Sequence, residues 1–277
     1  MVMEILKFVS VKNKKIFCII EARMTSGRLK GKTLKKIDKK NYLIDYVIQN
    51  ILSSKYFNTS NIVLASPTHY TNDILCDYVK KKYNILIYRG SEHNVFERVY
   101  DCSRLVNSDY NIRYTADNPF IDSSLIDEFV GFFKKKKLDY LSTRTMDHAK
   151  KWKLKSEYPE GLSLEIYKTD VLEKIKKYVN EKNKDYPTWN MYSGPKKFNI
   201  KGFKLLPDYE GYNLEGLRLT IDTPKDLKFA RKLIKLGRLK PGDNNFYKIL
   251  KFRKKLKIKL SNINEKSKLA YKIISNR

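Results

Sequence analysis

Short apolar runs alternate with amphipathic segments along most of the chain, and this alternation constrains the fold more than any other feature. It is typical of α/β domains, in which helices cover a mostly parallel sheet. The apolar runs predicted as strands are 16–20, 61–65, 84–88, 111–115, 140–142, 162–167 and 217–221. The segments predicted as helices are 42–52, 72–82, 95–105, one beginning at Ser123 and one beginning at Thr223.

Two of the predicted helices begin at recognisable capping residues. Asn41 stands where it could cap the helix 42–52. At the last helix, Thr223 is followed by Pro224 in the first turn and by Asp226 three residues after the cap. These side chains satisfy backbone N–H groups that have no partner within the helix.

The chain of 277 residues is 42% hydrophobic, which is enough for a packed core. We predict a main domain over 1–239, with an irregular lobe at about 181–216 that is rich in Pro, Gly, Tyr and Asn. A basic C-terminal extension is predicted over 240–277. This extension either contacts acidic lipids or forms a packed terminal helix with a lysine-rich outer face.

The formal net charge of +28 has two explanations. Such a charge would attract nucleic acid or an acidic membrane, or it reflects a lysine-rich composition that follows codon bias. The lysines are spread along the whole length, which favours the second explanation, and no helix-turn-helix, zinc-finger or RNP-like pattern is present. The sequence therefore predicts no specific nucleic-acid partner.

Three cysteines, Cys18, Cys76 and Cys102, lack the spacing of a disulfide framework or a zinc site. No apolar run approaches the roughly 20 residues that a membrane-spanning helix needs. We therefore expect no integral membrane segment and a cytoplasmic location.

A loop from Ala22 to Lys32 follows the first predicted strand and includes Arg23, Arg28, Lys30 and two glycines. Backbone N–H groups together with arginine and lysine suit a polyphosphate, although the loop could also be an ordinary basic surface loop. Its last residues, Gly31-Lys32-Thr33, end like a P-loop. Ser26 stands where a P-loop needs its first glycine, which argues against an ATPase of that type.

Asp117 and Asp222 each follow a predicted strand directly. In open α/β sheets, ligands bind at the carboxyl ends of the strands, and Mg²⁺ prefers oxygen ligands such as carboxylates. The alternative is that each aspartate caps a helix or a turn, because a proline follows within two residues of both.

Five segments, in the same order, resemble those of the spore-coat polysaccharide type cytidylyltransferases. These enzymes are related to the 3-deoxy-manno-octulosonate and acylneuraminate cytidylyltransferases. The loop 21–32 reads EARMTSGRLKGK and is similar to the family pattern QARxxSxRLPGK. The other four segments are YRGSE at 88–92, RYTADNPFID at 113–122, YPEGL at 158–162 and LRLTIDTP at 217–224.

This resemblance implies a Rossmann-like nucleotidyltransferase fold of the nucleotide-diphospho-sugar transferase type, a three-layer sandwich with a mixed, mostly parallel sheet. It implies transfer of a nucleotidyl group from CTP to a sugar or sugar-like acceptor, with release of pyrophosphate, for surface glycan synthesis. It further implies Mg²⁺ held by Asp117 and Asp222, and a homodimer formed through the irregular lobe.

The resemblance also implies roles for single residues. Arg23 and Lys32 would be catalytic, binding the β- and γ-phosphates and the leaving pyrophosphate. The full set of expected nucleotide-binding residues is Ala22, Arg23, Ser26, Arg28, Lys32, Ser66, Arg89, Gly90 and Ser91. Arg113, Glu160 and Glu165 are expected at the acceptor, although the glutamates could be ordinary strand-edge residues and Arg113 a structural ion pair.

The sequence departs from the family pattern at several positions. Glu21 replaces the usual glutamine and either pairs with a nearby cation or tunes the choice of base. Lys30 replaces the usual proline, and the lobe segment 185–192 lacks the histidine that relatives often carry.

Two other functions remain open at this point. A glycosyltransferase would use a nucleotide-sugar donor, but Asp117-Asn118-Pro119 offers one carboxylate where such enzymes usually have two. A nucleic-acid-binding protein is the second alternative, suggested by the net charge alone.

Overall fold

The structure is a computed structural model and describes residues 15–147, 153–194, 197–212, 214 and 217–256. The strands are β1 Ile16–Glu21, β2 Ile62–Pro67, β3 Leu86–Gly90, β4 Tyr110–Thr115, β5 Tyr140–Ser142, β6 Arg144–Asp147, β7 Lys153–Ser156, β8 Glu165–Lys168 and β9 Ile200–Gly202. The α-helices are α1 Leu43–Leu52, α2 Asp73–Tyr83, α3 Val95–Leu105, α4 Ser123–Lys136, α5 Thr169–Ile175, α6 Trp189–Tyr192, α7 Pro224–Gly237 and α8 Asn245–Leu256.

Seven of these strands form one sheet in the order β3-β2-β1-β4-β8-β5-β9. Strand β1 pairs in parallel with β2 and β4, β2 pairs in parallel with β3, and β5 pairs in parallel with β9. Strand β8 is antiparallel to both β4 and β5. The sheet is therefore mixed and mostly parallel, as the sequence predicts, while β6 and β7 form a separate antiparallel pair.

Two apolar clusters cover the two faces of this sheet. Successive side chains along β1 point to opposite faces, so Cys18 and Ile20 lie in the larger cluster and Ile19 in the smaller. Helices α1, α2, α4, α7 and α8 contribute buried side chains to the larger cluster, and α3, α5 and α6 to the smaller. The arrangement is the expected three-layer sandwich.

Most predicted elements are present, with shifts of a few residues at their ends, and two local predictions are wrong. Tyr42 rather than Asn41 is the N-cap of α1, because the side chain of Asp45 accepts a hydrogen bond from the Tyr42 N–H. Residues 217–221 do not form a strand. Within them, Leu219 N–H donates to the Glu160 carbonyl and Ile221 N–H to the Asp117 carbonyl, so the segment bonds to two loops.

The C-terminal helix α8 packs onto the larger cluster. Phe246, Ile249 and Leu250 are at most 1% exposed. The buried carboxylate of Asp122 accepts hydrogen bonds from the backbone N–H groups of Phe246, at 2.7 Å, and Tyr247, at 3.0 Å. The described part of the predicted basic extension is thus a packed helix, and the rest of it, 257–277, lies outside the described residues.

In the part of the chain that the structure describes, no helix combines the length and apolar character needed to cross a membrane.

Candidate functional site

A cavity of about 440 Å³ opens where β1 and β4 end. Its walls come from the end of β1, the loop that continues to Thr33, the first turn of α3, the end of β4 and Asp222. This is the edge at which open α/β sheets bind ligands, and the volume suits a small molecule.

The loop after β1 curls back on itself to present its cations. Gly31 has φ +63°, a left-handed conformation that glycine adopts without strain, and its N–H donates to the Met24 carbonyl. Met24 N–H in turn donates to the Asn72 side chain at 2.8 Å, which fixes the loop to the turn before α2. The short 3₁₀ turn Lys32–Leu34 follows at once. These contacts place Lys32 at the cavity.

Lys32 joins the two aspartates predicted to hold a metal. Its Nζ lies 2.7 Å from Asp117 Oδ2 and 3.0 Å from Asp222 Oδ1. Asp222 also contacts Arg28 Nη2 at 3.1 Å and Arg218 Nη2 at 2.6 Å. The loop cations and the distant carboxylates therefore meet in one cluster.

The charges of this cluster stabilise one another. Burial by itself would lower the pKa of Lys32, but Asp117 and Asp222 outweigh it and hold that pKa above its usual value. Burial would likewise raise the pKa of Asp222, but Lys32, followed by Arg28 and Arg218, holds it below the usual carboxyl range. Lys32 is therefore charged at neutral pH, and so is Asp222.

Three further predicted nucleotide-binding residues, Ala22, Arg23 and Ser26, also border the cavity. Arg23 has an exposed side chain. No hydrogen bond or ion pair joins Arg23 to another residue that the structure describes, so its guanidinium is available to a ligand.

The other four predicted nucleotide-binding residues do not border the cavity. Ser66 is fully buried in β2. Arg89 donates to the carbonyls of Pro67 and Thr68 and pairs with Asp73 at 2.7 Å. Gly90 and Ser91 lie under α3, where the Ser91 carbonyl accepts a hydrogen bond from Arg98. Arg89 and Ser91 therefore hold segments next to the cavity in place.

The predicted acceptor residues are engaged in ion pairs. Arg113 pairs through Nε and Nη2 with Glu21 and through Nη1 with Glu165, at 2.7 Å. Glu165 also accepts from the hydroxyls of Tyr140 and Thr188, each at 2.7 Å. Burial would raise the pKa of Glu165, but Arg113 and these hydroxyls hold it below its usual value.

Glu160 pairs with Arg218 at 3.0 Å. Arg218 also contacts Asp222, so Glu160 connects to the charged cluster through that arginine. Arg113 is thus engaged in ion pairs with Glu21 and Glu165, and its role at the acceptor stays a prediction.

Seven residues outside the predicted site set border the cavity as well: Glu21, Gly27, Thr33, Val95, Arg98, Thr115 and Ala116. Arg98 carries a signal that could have identified it. It lies on the face of α3 that buries Phe96, Val99 and Cys102, and a cation on an otherwise apolar face needs a partner.

Comparison with known proteins shows the family of this chain. A family model described as cytidylyltransferase matches residues 17–258. A cytidylyltransferase structure from Leptospira borgpetersenii superposes with a TM-score of 0.76 at 21% identity, covering 91% of this chain and 99% of that one.

Two relatives in sequence cover most of both chains. An uncharacterized protein of Methanocaldococcus jannaschii is 32% identical over 222 residues, which is 80% of this chain and 84% of the relative. The spore coat polysaccharide biosynthesis protein SpsF of Bacillus subtilis is 27% identical over 222 residues, or 79% of this chain and 85% of the relative. The resemblance expected from the five segments is confirmed, and neither the glycosyltransferase nor the nucleic-acid-binding alternative is favoured. This chain belongs to the cytidylyltransferase family.

Proposed function

We propose that the protein transfers a cytidylyl group from CTP to an oxygen of a sugar or sugar-like acceptor, with release of pyrophosphate, in the synthesis of a surface glycan. The observation that carries this proposal is the meeting of Lys32 and Arg28 with Asp117 and Asp222 at one cavity. The Bacillus subtilis relative is a spore coat polysaccharide biosynthesis protein, which supports a glycan product.

In this reaction an acceptor oxygen attacks the α-phosphorus of CTP, and the bond from that phosphorus to the bridging oxygen of the β-phosphate breaks. Negative charge then develops on the departing pyrophosphate. Arg23, Arg28 and Lys32 supply positive charge at the cavity, with Lys32 held in its protonated form by its two carboxylates. Fixed cations that face developing charge are the main source of catalysis in such transfers.

The donor set of the cluster fits Mg²⁺. Asp117 and Asp222 supply carboxylate oxygens, and Mg²⁺ keeps several waters, so one or two carboxylates are sufficient. No group of three or more His, Cys, Asp or Glu side chains suited to a metal occurs among the residues described, which argues against an all-protein cage. When bound, Mg²⁺ would neutralise charge on the phosphates during transfer.

We further propose that the protein acts in the cytoplasm as a homodimer that associates through the lobe at 181–216. The lobe carries an exposed aromatic side chain, Tyr186, next to Trp189. Exposed aromatic residues are enriched at protein interfaces. Sedimentation equilibrium of the native protein and of Tyr186→Glu tests the dimer, which this substitution should weaken.

The proposed reaction is tested by measuring pyrophosphate release from each of the four nucleoside triphosphates, with Mg²⁺, against a panel of acidic and phosphorylated sugars. CTP should be the preferred donor. Asp117→Asn and Asp222→Asn should each lower kcat by about 100-fold or more, because each removes a charge that the metal needs. Asp77→Asn, at an exposed aspartate on α2, is the matched control and should keep full activity.

Two results would contradict the proposal. Full activity in both cavity variants would show that the metal assignment is wrong. Transfer from a nucleotide-sugar donor without pyrophosphate release would show that the reaction class is wrong.

A further inference from the structure

Arg98 brings unused hydrogen-bonding capacity to the cavity. Its side chain projects from α3, borders the cavity and belongs to a residue that is only 3% exposed. One guanidinium nitrogen, Nη1, donates to the Ser91 carbonyl at 2.6 Å, while Nε has no hydrogen-bond partner within the described residues. Because a buried guanidinium has lost its hydration, a ligand with acceptor atoms would stabilise it.

The residues before α3 hold the side chain of Arg98 in place. A Cβ at Gly90 would lie 3.0 Å from Arg98 Cγ, so the absence of a side chain at Gly90 makes room for the stem of the arginine. The carbonyl of the next residue, Ser91, then fixes the guanidinium. Arg98 is therefore positioned by the turn between β3 and α3 and does not move freely like a surface cation.

Glu21 offers an acceptor at the same cavity. Its carboxylate pairs with Arg113, and each carboxylate oxygen can still accept a second hydrogen bond. The cavity therefore presents a carboxylate and a guanidinium that are both separate from the cluster of Lys32, Asp117 and Asp222.

Among the residues that line the same cavity as Glu21 and Arg98, Ala22, Val95 and Ala116 are small or apolar. Sites with apolar walls and a few placed polar groups suit a flat heterocycle, which packs its faces on the walls and hydrogen-bonds at its edge. The phosphates of a nucleotide belong with the cations of the neighbouring loop. The remaining part of the cavity is therefore suited to the base.

We propose that Arg98 and Glu21 recognise the cytosine of CTP, an inference that rests on the proposed function. Cytosine presents two adjacent acceptors, O2 and N3, and one donor, the 4-amino group. Arg98 donates toward the acceptors and Glu21 accepts from the amino group. Uracil has an N–H at position 3 and a carbonyl at position 4, so it would place donor against donor at Arg98 and acceptor against acceptor at Glu21.

The test is calorimetric titration of the full chain with CTP and with UTP at a fixed Mg²⁺ concentration. Native protein should prefer CTP. Arg98→Gln should reduce the ratio of CTP to UTP affinity by about 10- to 100-fold, the usual worth of a paired base contact. Arg98→Lys keeps the charge but loses the planar guanidinium, so the ratio of CTP to UTP affinity should also decrease. If Arg98→Gln does not fold, the test is made with Arg98→Lys.

Glu21→Ala tests the second residue. It removes the acceptor for the cytosine amino group and also the acceptor that opposes the O4 of uracil, so CTP affinity should fall relative to UTP affinity and the ratio should narrow. An unchanged ratio in this variant would remove Glu21 from the proposal.

The matched control is Arg23→Gln, which removes the same charge from the same cavity on the phosphate side. It should weaken CTP and UTP equally and leave their ratio unchanged. If CTP binds and both folded Arg98 variants keep the native ratio, base recognition by Arg98 is wrong and the proposed function stands. If the native protein binds neither nucleotide, the proposed function fails, and this inference fails with it.

Discussion

Replacing Phe246 with alanine should destabilise the whole domain, although this residue lies in the segment that the sequence describes as a basic extension. Phe246 is fully buried, and its ring packs edge-on against Tyr209, with the ring centroids 4.8 Å apart at 69°. The residue lies in the first turn of α8, and its contacts join that helix to the core of the three-layer sandwich.

The expected loss follows from the contacts of this ring. Truncating a buried Phe to Ala costs about 3–5 kcal/mol, which includes the lost transfer free energy and the cavity left behind. The cavity at Phe246 would adjoin Tyr209, whose hydroxyl is held by Asp122 at 2.9 Å, so Tyr209 cannot readily move to fill it. The upper half of that range is therefore expected. A domain has about 5–15 kcal/mol of total stability, so this loss is large.

Urea unfolding followed by circular dichroism measures this change in the free energy of unfolding. The matched control is Tyr70→Ala, which truncates an aromatic side chain that is 75% exposed and should change the free energy by less than about 1 kcal/mol. If Phe246→Ala unfolds within about 1 kcal/mol of the native protein, α8 does not stabilise the domain, and the predicted boundary at residue 239 stands. A decrease of the expected size in the free energy of unfolding would instead show that the domain extends past residue 239.

Two further substitutions test other parts of the structure. Gly161 has φ +106°, and a Cβ there would lie 2.7 Å from the backbone of Leu219 and Thr220. Gly161→Ala should therefore lower the free energy of unfolding, measured in urea, by about 2–3 kcal/mol. An unchanged urea midpoint would contradict this close packing. Burial raises the pKa of Asp122 from 3.8 to about 6. The folded state therefore binds this proton more tightly than the unfolded state does, and the stability that the proton contributes is lost as pH rises through about 6. Between about pH 4 and about pH 8, the free energy of unfolding of the neutral variant Asp122→Asn should therefore rise by about 2–3 kcal/mol relative to that of the native protein. If the difference between the two free energies is constant over this range, burial does not raise this pKa.

Local signals in the sequence were sufficient to predict several elements. Helix α3 spans the predicted 95–105, and the side chain of Asn94 caps it by accepting from the Glu97 N–H at 3.0 Å. The predicted capping box of α7 is present between Thr223 and Asp226. These contacts join residues at most four positions apart, so residue type and spacing are enough to reveal them.

Contacts between distant segments could not be predicted in the same way. The apolar alternation of 217–221 suggested a strand, but the backbone partners of this segment are loops, and alternation reports burial without identifying the partner. The ion pairs of Arg113 join residues 92 and 52 positions away, so no local spacing indicates them. The meeting of Lys32 with Asp117 and Asp222 was expected only because family resemblance placed all three at one ligand.

The contact between Lys32 and Asp222 has a consequence for the biosynthesis of this protein. These residues are 190 positions apart, so a chain still emerging from the ribosome has the cationic loop long before it has the second aspartate. Until Asp222 is translated, Lys32 lacks one of its two anionic partners, and the proposed metal site lacks one of its two carboxylates. On the proposed function, nascent or prematurely terminated chains should therefore not consume CTP, and activity should begin only when nearly the whole domain has been synthesised.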